Sequence, residues 1–184
     1  MTGRSWASLR HRAAGFAALC ALLLPATGVA EELGRITAFL GGKQKSWLTI
    51  TTTHSGGVIA SASLTLGPRL AGFEIQGHPE ARLSSREVLS IDARFSEPPT
   101  PESRPLEVDI LYMPDGLAGP FWTSRGAPMP ARFEILALEV WGAYARVEAQ
   151  FDATLCLRPA ISAATDPTEC QALSGWLETK LAVD

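Results

Sequence analysis

Ala145-Arg-Val-Glu-Ala-Gln-Phe-Asp-Ala-Thr-Leu155 alternates apolar and polar residues at every position. A strand sends successive side chains to opposite faces, whereas a helix repeats every 3.6 residues. Strict alternation over this length therefore predicts one strand with an apolar and a wet face. The pattern recurs on both sides. Gly175, Leu177, Thr179, Leu181 and Val183 oppose Trp176, Glu178 and Lys180. Phe133, Ile135 and Ala137 precede the opening stretch. Further back, Leu106, Val108, Ile110 and Tyr112 oppose Glu107 and Asp109, and Leu89, Ile91, Ala93 and Phe95 oppose Ser90, Asp92 and Arg94. Earlier segments run over 35–40, 48–53, 58–66 and 73–75. Gly41-Gly42, Gly67-Pro68, Pro98-Pro99-Thr100-Pro101 and Pro114-Asp115-Gly116 separate them with turn chemistry.

Eight or nine strands and no helix follow from this reading. One apolar face per strand implies one shared core. The expected fold is an all-β, antiparallel β-sandwich or small closed β-barrel, a single domain over residues 31–184. A lipid-embedded barrel alternates too, but it carries aromatic girdles. This chain has two tyrosines and ends Ala182-Val183-Asp184.

The first thirty residues carry a different signal. Arg4, Arg10, His11 and Arg12 precede an apolar run from Ala13 to Leu24, and Gly28-Val29-Ala30 closes the segment with small residues. Basic start, short apolar stretch and small-residue exit form a secretory signal peptide over residues 1–30, removed after Ala30. The run is shorter than the ~20 residues a membrane span needs. Cys20 lies inside it and is discarded with it. Arginine outnumbers lysine thirteen to three, a bias of GC-rich bacterial genomes, so the expected destination is the periplasm, or secretion. The mature chain keeps thirteen basic and nineteen acidic residues, a net charge of −6. It has no basic stripe, which speaks against nucleic acid as a partner. No later stretch is apolar for long enough to be a transmembrane helix.

Cys156 and Cys170 remain. An even pair in an exported chain reads as a disulfide. It closes a fifteen-residue segment, worth roughly 3 kcal/mol by loop entropy. Residues 157–169 carry two prolines and no strand pattern, so the pair is expected to staple a loop.

Chemistry-bearing residues are sparse. His54 and His78 are the only mature histidines. They are weak metal-ligand candidates, and the spacing favours two solvent-exposed loop histidines instead. No nucleophile motif occurs. Glu107 and Asp109 share a strand face about 7 Å apart, a separation compatible with two catalytic carboxyls, though a polar outer face explains them equally. Nothing in the sequence implies a cofactor. Phe121, Trp122 and Arg125 lie in a Gly/Pro/Ser-rich stretch between strands. They can plug one end of the fold or form a recognition surface for a protein or small ligand. Trp47 and Trp176 interrupt polar strand faces, covering apolar surface or lining a groove. The functional expectation is an exported, non-enzymatic binding or interaction domain using loop 114–130. The alternatives are an envelope-acting hydrolase and a structural envelope component.

Overall fold

Eleven strands and no helix make up the described residues, 30–54 and 57–184 of a computed structural model. They are β1 (Glu31–Leu40), β2 (Lys43–His54), β3 (Gly57–Ala60), β4 (Ala62–Leu66), β5 (Ala71–Gly77) and β6 (Val88–Phe95). The second half supplies β7 (Glu107–Met113), β8 (Phe121–Thr123), β9 (Arg132–Trp141), β10 (Tyr144–Arg158) and β11 (Asp166–Val183). All belong to one sheet. The expected signal peptide and Cys20 lie outside the described residues.

The alternation read from the sequence is the burial pattern of the strands. In β10, Ala145, Val147, Ala149, Phe151, Ala153 and Leu155 are all buried in one core. Residues of β1, β4, β5, β6, β7, β9 and β11 join the same cluster. Burial at roughly 25 cal/mol per Å² of apolar surface makes this shared interior the main source of stability.

The strands pair in a closed circuit. β4 pairs with β5, β5 with β6, β6 with β7 and β7 with β8. β8 then pairs with β10, β10 with β11, and β11 returns to β4. This is the connectivity of a barrel rather than of two separate sheets. Every pairing is antiparallel except the last, where Ala182 and Val183 run parallel to Ser63 and Leu64. β1 and β2 extend the same sheet from β11, with β3 at its edge. β2 rejoins the circuit where Leu48 and His78 exchange backbone hydrogen bonds of 2.7 and 2.8 Å.

The count of eleven exceeds the expected eight or nine for two reasons. First, residues 58–66 are two strands, because Ser61 turns the chain from β2 towards β5. The buried Ser61 hydroxyl accepts from the Ile50 amide and donates to the Gln76 carbonyl, each at 2.8 Å. Second, Phe121–Thr123 is a strand, not a loop.

The disulfide between Cys156 and Cys170 is present, but its setting corrects the loop expectation. The two cysteines face each other across β10 and β11, and pairing resumes beyond them at Leu157 and Asp166. The bond therefore pins a hairpin register. At the β1–β2 turn, Gly41 and Gly42 have φ of 56° and 79°. Two positive φ values make the type I′ hairpin turn, which matches strand twist and favours glycine.

Gly175 marks a close approach of β11 to β1. A Cβ there would lie 2.5 Å from both the Ala38 Cβ and the Thr37 carbonyl oxygen. Gly175→Ala should force β1 away from β11 and cost about 1–3 kcal/mol. Thermal unfolding should show a melting point lowered by several degrees, and an unchanged value would mean that this contact is not rigid.

Candidate functional site

The proposed Phe121–Arg125 surface divides on inspection. Trp122 pairs with Tyr112 and Leu157, so β8 bridges β7 and β10 and completes the circuit. Its β-branched and aromatic residues suit a strand despite the flanking glycine and proline. Phe121 is buried and Trp122 packs against the core. Only Arg125 is exposed, and its guanidinium is engaged by Asp109 and lies 3.9 Å from Glu107. The Asp109 hydrogen bond raises the Arg125 pKa further. Phe121→Ala should therefore cost about 3–5 kcal/mol, as expected for a buried ring. Arg125→Ala should change stability by less than about 1 kcal/mol. Chemical denaturation of both variants measures this contrast.

His54 ends β2 opposite Gly57. His78 is 2 % exposed, contrary to the expectation of a solvent-exposed loop histidine. Its backbone bridge to Leu48 carries it inside. Nδ1 accepts the Ser84 amide at 3.2 Å, so the neutral ring holds its proton on Nε2, which has no partner. Burial lowers the pKa of this ring. Among the described residues no group of three or more His, Cys, Asp or Glu is arranged to hold a metal ion.

A polar cluster that the sequence did not reveal closes the β2 side. Lys45 Nζ donates to Glu87 Oε2 at 2.6 Å and to Tyr112 Oη at 2.7 Å, and Tyr112 Oη donates to Glu87 Oε2 at 2.7 Å. Trp47, fully buried, donates from Nε1 to the Glu87 carbonyl at 2.7 Å. These contacts hold Glu87 at φ 57°, a backbone conformation costly for a residue with a Cβ. Burial pushes the Glu87 carboxyl up, but hydrogen bonds from Lys45 and Tyr112 outweigh it and leave it low. Burial likewise opposes charge on Lys45, while the same two partners hold its pKa high. Burial raises the Tyr112 phenol. An ammonium, a carboxylate and a neutral phenol result. None is a free base or nucleophile, so the cluster acts as a tie.

On the outer face of β5, β6 and β7, Glu74, Asp92 and Asp109 stand directly opposite one another. Burial raises the Asp92 pKa above 3.8, and the Glu74 and Asp109 charges add to the rise. The folded chain thus takes up this proton more readily than the unfolded chain. Charged Asp92 subtracts stability at neutral pH, and the penalty fades as pH falls through its folded pKa. Asp92→Asn should raise the melting temperature at pH 7, with the gain vanishing below about pH 3.8. Melting curves from pH 3 to 8 test the sign.

The opposite outer face, on β10, β11 and β1, is different. Trp47 and Trp176 separate here: Trp47 is core, whereas Trp176 is 50 % exposed. Trp176 stands opposite Thr37 of β1 and Gln150 of β10. Phe39, 46 % exposed, is opposite Ser174 and hence diagonal to Trp176. Arg146 engages Glu148 at 3.3 Å and also Glu178, and Arg35 lies 3.2 Å from Glu32. An open groove of about 510 Å³ runs past Trp176 between Glu32–Arg35 and Arg146–Lys180. A second groove, of about 870 Å³, lies across Gln150, Asp152 and Ser174 beneath residues 101–105.

Comparison of the chain with protein-family models, with curated proteins and with solved structures finds no match. The site must be argued from its own chemistry. Trp176 was visible in the sequence as an interruption of a polar face. What marks it out is register, which sets Phe39, Thr37, Gln150 and Ser174 around it.

Proposed function

We propose that the protein is an exported, non-enzymatic binding domain that recognises its ligand on the outer face of β10, β11 and β1. The observation that carries this reading is the half-exposed indole of Trp176 at the centre of a face held by strands paired on both sides. Tryptophan is favoured at binding hot spots, and sites on rigid strands hold their geometry better than loops. The binding role expected of residues 114–130 moves to this face, because Phe121 and Trp122 contribute to the interior.

Export rests on residues 1–30 and on the disulfide, a bond that persists in oxidising compartments. The destination is the periplasm or the exterior. A hydrolase is the weaker reading. Its sequence candidates, Glu107 and Asp109, both lie against arginines: Arg94 is 3.6 Å from Glu107, and Arg125 engages Asp109. Both carboxylates are thus engaged by guanidinium groups rather than presented to a substrate.

A photocross-linking residue at Ser174, in the full chain expressed in the organism that encodes it, tests the face. The expected result is a covalent adduct from Ser174, none from the same residue at Gln76 on the opposite wall, and loss of the adduct with Trp176→Ala. The mass of the recovered chain should place its start at Glu31. No adduct at Ser174, or equal adducts at both positions, would reject this face as the binding surface.

A further inference from the structure

From the chemistry surrounding the two exposed rings we infer that the Trp176 face takes a neutral polysaccharide chain. The inference rests on the binding role proposed above and names its ligand class.

Three features select that class. First, the rings are isolated in a field of hydrogen-bonding groups. Trp176 and Phe39 are diagonal neighbours across β11 and β1, a separation of about 7–8 Å. The positions directly opposite them are Thr37, Gln150 and Ser174. A protein partner would need contiguous apolar surface at the centre of its contact. A pyranose ring instead offers a C–H face for an aromatic ring and hydroxyls around its rim for side chains beside it.

Second, polar groups remain available. Among the described residues, the side chains of Gln150 and Ser174 make no hydrogen bond, and Asp152 beside them makes neither hydrogen bond nor ion pair. Gln150 and Ser174 can both donate and accept, and Asp152 can accept. Alternating donors and acceptors suit vicinal hydroxyls. Third, the arginines that border Trp176 are already paired. Arg146 holds Glu148 and Glu178, and Arg35 holds Glu32. A charged ligand that used either guanidinium would have to break those pairs, whereas a neutral one leaves them in place.

The backbone excludes a further class. β1, β10 and β11 are each paired on both sides at Trp176 and its neighbours, so no peptide can add as a strand there. The ligand must be read by side chains across the pleat. The grooves on either side leave an open path for a chain longer than one sugar.

Calorimetric titration of the mature, oxidised protein with four neutral probes tests the inference: β-1,4-glucan, β-1,3-glucan, β-1,4-N-acetylglucosamine and α-1,4-glucan hexasaccharides. At least one should bind saturably, and about tenfold more tightly than its monosaccharide. Trp176→Ala should weaken it by about tenfold or more, and Phe39→Ala should weaken the hexasaccharide while sparing the monosaccharide. Both variants should keep the wild-type melting curve, since both rings are half exposed. If all four probes fail at millimolar concentration, or Trp176→Ala binds like wild type, the sugar class is wrong. A dimer in sedimentation that Trp176→Ala dissociates would overturn it in favour of a second copy. Failure of the sugars with the Ser174 adduct retained removes only the ligand class. Failure of both removes the binding face as well.

Discussion

β11 is the strand on which the architecture depends. Its eighteen residues pair with β10 along nearly their whole length, with β1 along the middle and with β4 at the end. One chain segment thus joins the closed circuit to the sheet extension formed by β1 and β2. Such a junction requires backbones to approach closely, and the residues show it. Gly175 has no room for a Cβ, and Ala38 and Ala149 are the small buried side chains alongside. Phe151 of β10 stands opposite Gly175 in the register. The inner surface of β11 is specified by size as much as by hydrophobicity.

The remaining seams are short. β8 contributes three residues and the β11–β4 contact two register pairs. These carry the closure with few hydrogen bonds, so side chains supplement them. Trp122 packs on the core beside β8. Ser61, between β3 and β4, bonds to their partner strands β2 and β5, and the Lys45–Glu87–Tyr112 tie anchors the segment before β6 against β2. Glu87 is held in an unfavourable backbone region because four hydrogen bonds on its carbonyl, amide and carboxylate over-determine it. Local strain is tolerated where closure demands it.

Much of this was legible in the residues. Alternation in 89–95 and 145–155 predicted which side chains are buried, because period-two patterning is local and one face of each strand meets the core; in 106–112 it predicted Ile110 and Tyr112 but not Leu106, which lies outside β7 and is exposed. Closure was not legible, since alternation says which face is inside and nothing about which strand lies next. Phe121-Trp122-Thr123 was read as loop because three residues are too few to show a period. Val58–Leu66 was read as one strand because the kink at Ser61 arises from hydrogen bonds to Ile50 and Gln76, distant in sequence. The burial of His78 follows from its bridge to Leu48, thirty positions away. At the candidate site, Trp176 stood out as an aromatic on a polar face. Its relation to Phe39 depends on the β1–β11 register, which the sequence leaves open.

The two outer walls use their polar residues in opposite ways. On β5–β7 three carboxylates face one another, and burial, with the Glu74 and Asp109 charges added, makes Asp92 resist ionisation. On β10–β11–β1 charges of opposite sign neutralise each other around two aromatic rings. Leaving an indole half in water forgoes part of the stabilisation that full burial would supply, roughly 1.5–3 kcal/mol for a large apolar side chain. It also invites association unless polar residues surround it. Gln150 and Ser174, both exposed, provide that surround while keeping both rings accessible. A surface selected only for solubility would replace the indole with a polar residue, as the neighbouring outward positions of β11, Ser174 and Glu178, already do. Retaining Trp176 there, on the most firmly paired strand of the fold, is the arrangement expected of a surface built to hold a ligand.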